Sequence, residues 1–187
     1  MPSDCGKLTR HRVPGPSRLK RATLWPIVTP DDRSVVFMST RSGLQTPWMV
    51  PIDGGEAKQI VDAFVGIGTM DVSRDGRRLL FYTSDPENRF KLVVCELPTC
   101  ANRISLDPPV NYVYGTLRFT SDGEGIAYFS GSNIWSQPIK GGPRRQITHF
   151  DATRLIANFA WSRDGKRLAV ARATVTNDVV LLKAKTD

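Results

Sequence analysis

One ten-residue phrase occurs four times in this chain, and an array of that kind admits few folds. The copies run over Val28–Phe37, Val72–Phe81, Phe119–Tyr128 and Trp161–Val170. Each reads as an apolar residue, Ser or Thr, any residue, Asp, usually Gly, two mostly polar positions and then an apolar triplet. Its aspartates, Asp31, Asp75, Asp122 and Asp164, are separated by 44, 47 and 42 residues, a spacing that suits a four-stranded blade of about 40 to 45 residues. Asp-Gly between two β-favouring runs predicts a tight hairpin, because glycine accepts a positive φ and the aspartate bonds the turn backbone. Asp75-Gly76, Asp122-Gly123 and Asp164-Gly165 are therefore structural turns, and Asp31 plays that part before Asp32, which stands in the glycine position.

The second half of the unit also repeats. Trp48–Ile60 is echoed by Ile134–Ile147, and each holds a Gly-Gly turn, Gly54-Gly55 and Gly141-Gly142, between two strands. No helical period is sustained, and the apolar runs are short and rich in Val, Ile, Leu and Phe. The expected fold is all-β: a β-propeller of four blades, each of about four antiparallel strands, forming an open arc or part of a larger ring. Strands buried on both faces between blades explain runs that are continuously apolar instead of alternating. The expected blades span residues 25–64, 65–110, 111–152 and 153–187, after a basic irregular leader over 1–24. Little chain follows the strand expected near Val179, so the last blade should take its outer strand from elsewhere, with 16–23 as the candidate.

The Ser-x-Asp-Gly-(Lys/Arg) phrase, followed by an aromatic strand and a Gly-Gly turn, resembles the TolB-like, WD-like propeller repeat. Residues 37–43, Phe37 to Gly43, look like that family's strand end, and 159–182 look like the last blade of propellers in large bacterial sensor proteins. The resemblance implies a non-enzymatic module for protein–protein interaction or ligand sensing, a scaffold forming the C-terminal part of a longer signalling protein. The rival is the propeller of a prolyl oligopeptidase-like peptidase, which gates a separate hydrolase domain.

Lys7, Arg10, Arg12, Arg18, Lys20 and Arg21 stand against Asp4 alone, so most of the formal charge of +8 lies in the leader. Without aromatic interleaving or zinc-ligand spacing this reads as a solvated tail, and no nucleic acid is expected as a partner. No apolar run reaches the roughly 18 residues of a membrane span, and the chain shows no signal peptide.

The chain holds two histidines. His11 lies in the leader, and His149 follows a strand end with no partner motif, so no nucleophile–base pair is nominated and no catalytic residue, cofactor or metal is expected. Trp25, Trp48, Trp135 and Trp161 are expected in the core. Cys95 and Cys100 flank the Leu97-Pro98-Thr99 turn that replaces Gly-Gly in the second unit. They are either a disulfide across a hairpin, which favours a periplasmic or other extracytoplasmic compartment, or two reduced thiols. Ile27, Asp71, Arg118 and Ala160 occupy equivalent places on the innermost strands. Asp71 and Arg118 thus bring opposite charges into consecutive blades, as an inter-blade ion pair or as a lining of the central channel. A protein or small ligand is expected at the rim or channel, and self-association through open blade faces.

Overall fold

A computed structural model describes residues 23–62, 70–84, 89–108 and 115–174. Among these residues fourteen strands form antiparallel meanders. The first blade pairs β1 (Thr23–Val28), β2 (Ser34–Ser39), β3 (Thr46–Pro51) and β4 (Lys58–Gln59) in that order. The second pairs β5 (Asp71–Val72), β6 (Arg78–Ser84), β7 (Phe90–Glu96) and β8 (Ala101–Leu106). β9 (Leu117–Phe119), β10 (Gly125–Ser130), β11 (Asn133–Pro138) and β12 (Arg145–Gln146) make the third, and β13 (Leu155–Trp161) with β14 (Leu168–Ala173) the fourth. β1 begins two residues inside the segment read as leader. The expected outer strand at 16–23, apart from Thr23, and the strand near Val179 lie outside the described residues.

The register aligns the blades residue for residue. Ile27 faces Val36, Asp71 faces Leu80, Arg118 faces Ala127 and Ala160 faces Ala169. Apolar side chains from both faces of the middle strands therefore fill the gaps between blades. Val36 and Met38 meet Leu79, Phe81 and Val93 between blades one and two, while Leu80, Tyr82 and Leu92 meet Phe119, Ile126 and Tyr128 between two and three. Ala127 and Ile134 meet Ile156 and Phe159 between three and four. Burying such a side chain stabilises by about 1.5 to 3 kcal/mol, so these three cores hold the array together.

No hydrophobic cluster among the described residues joins the fourth blade to the first. The outward faces of those two blades are correspondingly open: Trp25 is 40% exposed, Val28 49% and Leu155 54%. This corrects the expectation that all four tryptophans are core. Trp25, at a positive φ beside the bulge of β1, has no neighbouring blade among the described residues to cover it. Trp48 is half-buried under the Arg41 guanidinium, 4.8 Å from the ring centre, and its indole N–H donates to Thr46. Trp135 and Trp161 are also only partly covered.

Candidate functional site

Each Asp turn is closed by a reciprocal pair. Asp75 accepts from the Ser73 hydroxyl at 2.5 Å and the Arg77 N–H at 3.0 Å, while the Ser73 oxygen accepts the Arg78 N–H at 2.8 Å. The same arrangement joins Thr120 to Asp122 and Ser162 to Asp164. Thr29 and Asp31 form the fourth, where Asp32 takes the left-handed conformation at φ 57° that Gly76, Gly123 and Gly165 adopt elsewhere. The hydroxyl donors and turn N–H groups hold the carboxyls of Asp31, Asp122 and Asp164 below the ordinary range. At Asp75 burial opposes those bonds, yet the bonds prevail. Both motif residue types are thus consumed by the turn.

These turns bring the ends of four inner strands around one cavity of about 590 Å³. Asp71 and Arg118 both line it, as do Arg74 and Arg163. Asp71 does not reach across the blades to the Arg118 side chain by a hydrogen bond. Its Oδ2 accepts the backbone N–H of Phe119 at 2.8 Å, and the Arg118 Nη1 donates to the Leu117 carbonyl at 2.9 Å. The blades approach so closely here that a backbone donor meets the carboxylate first. Burial pushes the Asp71 carboxyl up to about 6, against the Phe119 hydrogen bond and the Arg118 charge, which pull it down.

Arg74 and Arg163 occupy the place just before the turn aspartate. Arg74 Nη2 donates to the Ser162 carbonyl at 2.9 Å, so the second blade clasps the fourth. One blade interface has a further clamp, Arg78, whose Nη2 donates to Gly123 O at 2.8 Å while its guanidinium covers the Phe119 ring. Trp161 closes another part of the cavity wall. Its indole nitrogen is shut from water and has no hydrogen-bond partner among the described residues.

The remaining sequence candidates lie elsewhere. Cys95 and Cys100 form a disulfide with an S–S distance of 2.06 Å and Cα atoms 4.8 Å apart, between β7 and the start of β8. His149 is exposed beyond β12. Among the described residues no cluster of His, Cys, Asp or Glu is suited to hold a metal ion, and no helix is long and apolar enough to cross a membrane. Arg74 and Arg163 escaped the sequence reading, because the place before the aspartate holds arginine in only two of the four units. The available signals were that partial recurrence and the fixed offset within each unit.

No protein-family model matches the sequence, and no curated protein does. Solved structures match over most of the described chain. TolB from Acinetobacter baumannii superposes at a TM-score of 0.67, with 22% identity over 82% of this chain and 38% of that one. The fold is that of a partial β-propeller. The propeller assignment extends to a putative TolB from Agrobacterium tumefaciens, with a TM-score of 0.60, 15% identity and coverage of 79% of this chain and 53% of that one. It extends also to a chain of a nidogen/laminin complex, with a TM-score of 0.60, 14% identity and coverage of 82% and 57%. The chain spans less than two thirds of the length of each of these propeller structures.

Proposed function

We propose that this chain is a non-enzymatic β-propeller module, four blades of a larger ring in a TolB-like signalling or scaffolding protein, which binds a protein or small ligand at the channel mouth. The observation that carries this reading is the cavity of about 590 Å³, of a size that receives ligands in other folds. Equivalent positions of all four blades converge on it. Thr29, Thr120 and Ser162 on its wall commit their hydroxyls to turn aspartates, which fits binding better than nucleophilic attack. The disulfide favours an oxidising compartment such as the periplasm. The uncovered faces around Trp25, Val28 and Leu155 favour further blades beyond this arc.

Two measurements test the reading. Purified chain is incubated with peptide and ester substrates, and no turnover is expected above that of a heat-inactivated control. Light scattering of the same protein is expected to show concentration-dependent association, reduced in the Trp25→Lys, Val28→Lys double variant. Turnover that survives repurification would refute the non-enzymatic role, and a monodisperse monomer at every concentration would refute the larger ring.

A further inference from the structure

The cavity mouth combines five formal charges on its wall: Arg74, Arg118 and Arg163 against Asp32 and Asp71. Asp71 is already engaged by the Phe119 N–H. Arg74 and Arg118 are each anchored by one backbone carbonyl, at 2.9 Å in both cases. A guanidinium carries five N–H donors in a planar fork, so anchoring by one bond fixes its orientation and leaves others to present. Arg163 is exposed on the same wall. The described residues of the wall thus offer free guanidinium donors and a small net positive charge.

That balance selects a ligand class. We propose that the channel mouth is a carboxylate-binding site, in which Arg118 and Arg163 take the carboxylate of a peptide ligand and Arg74 supports the wall. The proposal rests on the binding role given above and names its ligand. A planar monoanion matches both the paired donors of guanidinium and the single excess positive charge, whereas a phosphate dianion would leave net negative charge beside Asp32 and Asp71. Arg74 is a positioning residue, because its bond to Ser162 O sets how the fourth blade, and with it Arg163, stands against the second. The carboxylate comes from a chain terminus or from an acidic side chain, and the experiment separates the two.

The test is isothermal titration of the full chain with four probes at equal ionic strength. These are N-acetyl-trialanine with a free terminus, the same peptide as its amide, N-acetyl-Ala-Glu-Ala amide, and inorganic phosphate. The free acid or the glutamyl peptide is expected to bind at least tenfold more tightly than the neutral amide, and the tighter of the two identifies the source. Phosphate should bind more weakly than that peptide, and Arg163→Gln, an exposed change, should lower its affinity about tenfold with an unaltered unfolding midpoint. Binding of the free acid and of the glutamyl peptide that both equal the amide, tighter binding of phosphate, no detectable binding, or full affinity in Arg163→Gln would each overturn the assignment. Mass spectrometry of the recovered peptide keeps the two readings separate. A cleaved peptide refutes the non-enzymatic role, whereas intact free-acid and glutamyl peptides that both bind no better than the amide refute the carboxylate site alone.

Discussion

Replacing Asp71 by asparagine should abolish one specific dependence of stability on pH. The side chain accepts the Phe119 N–H at 2.8 Å, and an asparagine oxygen can accept the same bond without placing a charge between blades. Burial raises the carboxyl from 3.8 to about 6 in the folded chain. For a carboxyl shifted upward, the folded state holds the proton more firmly, so stability is greatest below 3.8 and falls as pH rises toward about 6. At 1.36 kcal/mol per pH unit the full interval is worth about 3 kcal/mol. Above it the difference stays constant. In a domain of this size that corresponds to about 6 to 12 °C in melting temperature. Urea unfolding followed by tryptophan fluorescence, at pH 4, 5, 6 and 7, measures the gap between Asp71→Asn and the parent. It should be near zero at pH 4 and should favour the variant by up to about 3 kcal/mol at pH 7. The turn aspartates and Asp151, the latter held at about 2 first by the Thr153 hydroxyl and then by Arg172, have lowered carboxyls and lose their contribution only as pH falls below 3.8. They act equally in both proteins and cancel. A gap that does not change with pH, or a variant less stable at pH 7, would refute burial as the cause.

Three further outcomes follow from the same geometry. Asp75→Ala removes the acceptor of both Ser73 Oγ and Arg77 N–H and should cost about 1 to 3 kcal/mol in urea unfolding; an unchanged midpoint would deny the turn its role. Gly165→Ala should cost more than Gly131→Ala, although both have positive φ, because its new Cβ would stand 2.7 Å from Arg74 Nη1 and 2.9 Å from Ser121 Cβ while nothing lies within 4 Å of the other. Equal thermal shifts for the two would show that the fourth blade does not dock as described. Breaking the Cys95–Cys100 bridge, with a sequence separation of 5, should lower stability by about 2 kcal/mol from lost loop constraint. Intact-mass analysis after alkylation of native protein should find both thiols blocked, and their modification would contradict the bridge.

Much of the scaffold was legible because the repeat encodes local chemistry. Ser73, Asp75 and Gly76 name a turn by their own hydrogen bonds and φ, and counting back from Asp75 and Asp122 places Asp71 and Arg118 on equivalent inner-strand sites. What lay beyond reading was contact between units. Whether Asp71 meets a guanidinium or the Phe119 N–H depends on how closely two blades approach, which no spacing within one blade records. The reach of Arg74 to Ser162, across 88 residues of sequence, is hidden for the same reason. Trp25 looked like core because its size suits burial, but burial needs a neighbour, and the described fold supplies none on that side.

The place before each turn aspartate holds Pro30, Arg74, Ser121 and Arg163, three residue types accepted by the same turn. The hydroxyl and the carboxylate on either side of it secure the backbone, so that one codon per blade is left to vary without loss of the hairpin. Under the binding role proposed above, ligand preference and foldability would be inherited as nearly separate traits. A duplicated blade arrives with its turn intact and its mouth residue open to selection, and a ring assembled in this way can change what it recognises one sector at a time.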